Sequence, residues 1–239
     1  MKMKNRIEKL KPLINFNKDE FIVVRILQRK KDNPNLEYSV KQLKTYSFYS
    51  WEELESQIDR IKEICDMNNA RAYIRLNKQN SVDVSLRCIS EMSDNLRTGN
   101  SSKNKGVWDS VSGKGGSKDW WVLDLDEEHL KEIYTIGLSL YTTLKDRIII
   151  DLINEYQNKK NTIGKIAIAH MMGQTPEIIN FDAKKYIIEN PTKSGVHLIC
   201  KPFDTRILDK YNKKLSSKGI QTIQIQKDAN SILYIGNNN

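Results

Sequence analysis

The chain lacks paired cysteines. Its three, Cys65, Cys88 and Cys200, stand far apart in 239 residues with no CxxC or CxxH spacing. That argues against a zinc finger and a disulfide framework, and fits a reducing cytoplasm. No apolar run approaches the roughly 20 residues that span a bilayer. The basic start, Met1-Lys2-Met3-Lys4-Asn5-Arg6, is not followed by the apolar core of a secretory signal. The expectation is a soluble cytoplasmic protein with no membrane partner. A phosphate-binding P-loop is missing as well. Gly113-Lys114-Gly115-Gly116-Ser117-Lys118 lacks the G-x4-G-K-[ST] spacing and precedes a strand instead of following one.

What is present in excess is positive charge. Lys plus Arg number 39 against 30 Asp plus Glu, a formal charge of +9. Such a surface favours polyanions, nucleic acid being the commonest. An AT-rich coding sequence yields the same Lys-, Asn- and Ile-rich composition without any such partner.

Residues 118–128, Lys-Asp-Trp-Trp-Val-Leu-Asp-Leu-Asp-Glu-Glu, read as a buried strand that ends in acids. Alternation places Trp121, Leu123 and Leu125 on one face, and Val122, Asp124 and Asp126 on the other. Two carboxylates at i, i+2 in a half-buried setting repel unless a cation lies between them. Oxygen ligands of this kind suit Mg²⁺ or Mn²⁺. The alternative is a strand running into a helix with an acidic first turn, which the helix dipole favours. It accounts for Glu127 and Glu128 better than for Asp124, because Asp is depleted inside strands.

Upstream, residues 21–28 read as a strand, Asp32-Asn33-Pro34-Asn35 as a turn, and residues 38–48 as the antiparallel partner. Ser50-Trp51-Glu52-Glu53 is a capping box opening a helix that buries Leu54, Ile58, Ile61 and Cys65. Arg71 to Leu76 alternate, with Ala72, Ile74 and Leu76 inward and Arg71, Tyr73 and Arg75 outward. Two arginines flanking an aromatic suit a nucleic-acid surface, and equally an ordinary solvated face. Ser81 is placed to cap a second helix with Val82, Leu86 and Ile89 on its apolar side. Residues 98–118, rich in Gly, Ser, Asn and Lys, read as a mobile basic loop, either a flap over a phosphate-bearing substrate or a linker. Lys114 and Lys118 are its nucleic-acid candidates.

Downstream, Leu130, Ile133, Gly137, Leu140 and Leu144 mark an amphipathic helix, and residues 147–156 a second; residues 162–181 stay unassigned. Residues 184–189 and 196–201 read as strands joined by a turn. There Thr192, Lys193, Ser194, Gly195 and His197 gather a hydroxyl, an ammonium, backbone N–H groups and an imidazole, all donors suited to a phosphate chain. Asp204 caps a helix through Leu215 that Gly219 closes. Residues 222–226 and 232–235 read as a closing strand pair with Asp228 between them, either a third acid or a plain turn residue.

In this order the pieces resemble the archaeo-eukaryotic primase superfamily, particularly its small primase–polymerase members. Val122-Leu123-Asp124-Leu125-Asp126 is similar to the family's hhDhD motif. Thr192-Lys193-Ser194-Gly195-Val196-His197 resembles its TxSGG-x-H motif without the second Gly, and Lys227-Asp228 matches loosely the hydrophobic–acid third motif. The likeness covers residues 118–235. It implies an α+β fold: a primase–polymerase-like core whose RRM-like antiparallel sheet carries the acids, packed with an N-terminal α/β unit. The chain is then one catalytic domain of residues 1–239, subdivided into residues 1–98, a basic loop over 99–117, and a catalytic half over 118–239. By the same resemblance Asp124, Asp126 and Asp228 hold divalent Mg²⁺ or Mn²⁺. Lys193, Ser194, Gly195 and His197 hold the incoming nucleoside triphosphate, and the activity is template-dependent nucleotidyl transfer. With no zinc module or helicase motif, such a domain would rely on a helicase or another replication protein to select templates. An inactive nucleic-acid binder of the same fold and a metal-dependent nuclease are the rival readings.

Overall fold

The run Phe21-Ile22-Val23-Val24, continued by Ile26, is apolar and largely β-branched, and it forms β1 (Glu20–Arg29). The computed structural model describes residues 3–112, 115–131, 144–159 and 187–236. The chain divides into two units, one of residues 1–120 with 227–239, the other of residues 121–226.

In the first unit α1 (Met3–Leu10) precedes β1, and β2 (Val40–Phe48) returns antiparallel to it. Ser50 caps α2 (Trp51–Ser56): its Oγ accepts from the Glu53 N–H, while Glu53 accepts from the Tyr49 N–H. The helix breaks at Gln57, and α3 (Ile58–Met67) buries Ile58, Ile61 and Cys65. The strand β3 (Arg71–Asn80) and the late strand β8 (Asn230–Ile235) complete a sheet in the order β2-β1-β3-β8. Asn80, not Ser81, caps α4 (Ser81–Arg97), its Oδ1 accepting from the N–H groups of Val82 and Asp83.

Two expectations are corrected here. The side of α4 that meets the sheet is Val84 and Cys88, while Val82, Leu86 and Ile89 are exposed. Packing decides this, because the apolar partners Phe21 and Val23 lie on the 84/88 side. The supposed loop of residues 98–118 contains a 3-10 turn (Ser101–Asn104) and the short helix α5 (Val107–Ser112). Its few apolar residues anchor it: Val107 and Val111 are buried in the same cluster, and Trp108 stacks on Phe21 at 5.9 Å.

The second unit runs β4 (Trp121–Asp126), α6 (Glu127–Lys131), α7 (Leu144–Lys159), β5 (Ile187–Pro191), β6 (Gly195–Cys200), α8 (Arg206–Ser217) and β7 (Gln224–Gln226). Its sheet order is β5-β6-β4-β7, with every neighbouring pair antiparallel. A strand, a helical stretch, two strands, a helix and a last strand in this order form a split β-α-β arrangement. One sheet face, with Leu123, Leu125, Leu198 and Cys200, packs on Ile148 and Leu152 of α7 and on Leu208, Tyr211 and Leu215 of α8. The Asp151 carboxylate ties the two helices by accepting from the Tyr211 hydroxyl and the Lys210 ammonium. A Schellman turn ends α8: Gly219 has φ +73, its N–H reaches Ser216 O, and the Ile220 N–H reaches Leu215 O.

The expected closing strand pair is also corrected. β7 takes the open edge of β4 and β8 takes that of β3, so the two belong to different sheets. The helix expected through Ile133, Gly137 and Leu140, and the strand start at residues 184–186, lie outside the described residues. Two antiparallel sheets with helices make the chain α+β. Among the described residues no helix is long and apolar enough to cross a membrane.

Candidate nucleotide and metal site

The alternation of β4 sends Leu123 and Leu125 into the helical core and turns Val122, Asp124 and Asp126 to the opposite face. Register then determines their neighbours. Asp124 lies opposite His197 on β6 and Gln224 on β7, and His197 lies opposite Asn190 on β5. Asn190, His197, Asp124 and Gln224 thus form one polar row across all four strands. His197 is buried, with 7% of its side chain exposed against 39% for Asp124. Its Nε2 lies 3.6 Å from Asp124 Oδ1, too far for a direct hydrogen bond.

One step along, Asp126 lies opposite Gly195. A Cβ at Gly195 would stand 2.0 Å from Leu125 O and 2.9 Å from Asp126 Cα, so only glycine admits this approach. The Thr192 N–H closes the β5–β6 turn on Gly195 O at 3.0 Å. Lys193 is exposed there and Ser194 half-buried. The turn donors and the acids therefore meet at one end of the sheet.

His129 was missed by sequence reasoning. Its Nδ1 accepts from the Asp126 N–H at 2.9 Å, and its Nε2 lies 2.6 Å from Gln221 O. An acceptor Nδ1 and a carbonyl at Nε2 require the neutral ring with its proton on Nε2. His129 is buried and stands three residues after Asp126, the spacing of a capping box, and that spacing was the available signal. It fixes the backbone where β4 ends and α6 begins.

Asp228 lies in the other unit. Its Oδ1 accepts from Arg75 Nη2 at 3.3 Å, and 69% of its side chain is exposed. Among the described residues no three His, Cys, Asp or Glu side chains are grouped to share a metal ion.

The expected nucleic-acid face also needs correction. Arg71 is buried in a bidentate pair with Asp32, both bonds 2.7 Å and both side chains 5% exposed. Arg75 is buried too, donating to Gly115 O and Asp228. Burial is the main cause that draws its guanidinium below the usual arginine range. Neither is a solvated side chain, because an acid and a covering backbone segment meet them on that face. Tyr73 is half-buried, with Arg29 donating to its hydroxyl at 3.3 Å. Lys118 is exposed, and Lys114 lies outside the described residues. Arg25 stands between Thr45 and Tyr73 in the same row. Arg25 Nε and Thr45 Oγ1 are buried and find no hydrogen-bond partner among the described residues.

No family model, curated protein or solved structure matches the chain.

Proposed function

We propose that the chain is a metal-dependent nucleotidyltransferase of the primase–polymerase type, with an RRM-like catalytic half in residues 121–226. One observation carries the reading: the register of β4 on β6 sets Asp124 against His197 and Asp126 against Gly195. Two motifs some seventy residues apart in sequence thereby share one end of one sheet face.

The acids suit Mg²⁺ or Mn²⁺. Such ions are commonly held by one or two carboxylates and complete their shell with water and substrate phosphates, so a third protein ligand is not required. Asp124 and Asp126 are the residues that would hold the metal. Bound there, it would supply Lewis-acid stabilisation of charge on the transferring phosphoryl group. The chain's own donors act on the substrate: Lys193, Ser194 and His197 bind the triphosphate oxygens, and His129 keeps the Asp126 backbone in place. In the first unit, half-buried Arg25 and Tyr73 and exposed Lys118 are the nucleic-acid contacts, phosphates on the cations and a base on the ring. A helicase or another replication protein would bring the template.

The Arg75–Asp228 pair favours a second reading, an inactive nucleic-acid binder, since it ties the expected third acid to an arginine. A nuclease would use the acids and leave the Ser/His turn without a role. Incubation with primed template, labelled nucleoside triphosphates and Mn²⁺ separates the three. The proposal predicts template-dependent extension that Asp124→Asn abolishes without lowering the melting temperature. Retention of template without incorporation supports the binder, and shortened template the nuclease.

A further inference from the structure

The exposed face of α4 carries an apolar stripe that nothing in the catalytic reading uses. Val82, Leu86, Ile89 and Leu96 are 52–64% exposed and Met92 is 40% exposed, on a helix whose buried side is Val84 and Cys88. Five large apolar side chains along one solvent-facing stripe are more than the scattered exposed residues of an ordinary surface. Positions 82, 86, 89, 93 and 96 follow the 4-3-4-3 spacing by which one helix packs along another. Ser93 is the polar member of that series.

The stripe is symmetric in chemical type about Ile89. Val82 and Leu96 lie seven residues to either side, Ser85 and Ser93 four, and Leu86 and Met92 three, and all are exposed. A second copy of the helix laid antiparallel over the first, with the two-fold axis at Ile89, therefore sets large apolar residues against large ones and serine against serine. This self-complementarity is what an isologous contact requires. The charges agree. Asp83 and Arg97 flank the stripe on the same side at opposite ends of α4. Antiparallel pairing brings Asp83 of each copy to Arg97 of the other, whereas parallel pairing sets that flank against Ser81, Cys88 and Asn95. Arg97 pairs within its own chain with Asp94, both largely exposed, and an exposed pair of this kind exchanges at little cost.

We propose that this face of α4 is a self-association surface, pairing antiparallel about Ile89 with α4 of a second copy. Val82 to Leu96 spans roughly 21 Å of helix. A single helix pair of that length buries less than the roughly 800 Å² per partner of a stable interface. The association is accordingly weak and concentration-dependent.

Sedimentation equilibrium of the full chain over a concentration series tests the contact. The wild type is expected to fit a monomer–dimer equilibrium. Ile89→Asp, which sets two carboxylates against each other on the axis, is expected to raise the dissociation constant at least about tenfold with an unchanged melting curve. Asp83→Arg and Arg97→Asp should each weaken the dimer, and the double variant should restore it. Cross-linking with a short bis-maleimide reads the orientation. Ile89→Cys should link to itself and Val82→Cys should not, whereas a mixture of Val82→Cys and Leu96→Cys proteins should link to each other. A wild type that stays monomeric throughout would assign the stripe to a different protein and overturn the proposal. Self-linking of Val82→Cys without linking in the mixture would overturn it equally, since it demands a parallel pair.

Discussion

Gly195 and Asp126 face each other across β6 and β4 so closely that a methyl group at residue 195 would lie 2.9 Å from the Asp126 Cα and 2.0 Å from the carbonyl before it. A glycine that reads in the sequence as part of a phosphate-holding turn is required first by this approach of two backbones. Gly195→Ala should therefore move the end of β4, costing about 1–3 kcal/mol of stability and depressing nucleotide incorporation. A melting curve beside an incorporation assay checks it. An alanine variant with wild-type stability would mean that the strands separate easily there.

The arginines of the first unit divide between structure and binding. Arg71→Ala leaves Asp32 charged and buried without its bidentate partner, so a loss of about 3–5 kcal/mol is expected. The salt dependence of template binding should stay as it was. Arg25→Ala should do the reverse, preserving stability and reducing the slope of log affinity against log salt by about one unit. Denaturant titration and binding across a salt series distinguish the two; an effect of Arg71→Ala on the slope would restore it to the binding surface.

Much of the second unit was legible because its residues obey period-2 alternation around a single apolar strand. The faces of Leu123 and Leu125 against Asp124 and Asp126, and the turn before His197, follow from that pattern and from Gly195. Strand partners did not follow. β7 and β8 look like a hairpin locally, and only the open edges of β4 and β3 send them to different sheets. The outward arginines failed for a related reason: alternation gives the side of the sheet and is silent on what covers it. Asp32 is 39 residues from Arg71 in sequence, and Gly115 is 40 from Arg75. On α4 the apolar period pointed to the wrong face, since Val84 and Cys88 are the residues that meet Phe21 and Val23.

Acid should loosen the helical side of the second unit. Burial pushes the Asp151 carboxyl up, but hydrogen bonds from Lys210 and Tyr211 outweigh it and hold it below the usual aspartate value. A depressed folded-state value stabilises above the unfolded one, and that contribution is lost as pH falls through the folded value. Wild-type stability should therefore drop as pH falls below about 4. Asp151→Asn should be less stable at neutral pH by roughly 1–2 kcal/mol and show a shallower acid decline. Thermal unfolding at pH 7 and pH 3 measures both; identical pH profiles for the two proteins would dissociate Asp151 from the α7–α8 contact.

The claim that nucleotide binds on the Asp124 and His197 face is tested most directly by nucleotide titration of His197→Ala beside its melting curve. Loss of one charge-assisted contact to the triphosphate is worth about 1.5–3 kcal/mol, a roughly ten- to hundredfold rise in the dissociation constant. The predicted result is that rise for the nucleoside triphosphate, with template affinity and melting temperature close to wild type. Unchanged nucleotide affinity in a well-folded His197→Ala protein would contradict the account, and so would a melting temperature that falls together with both affinities.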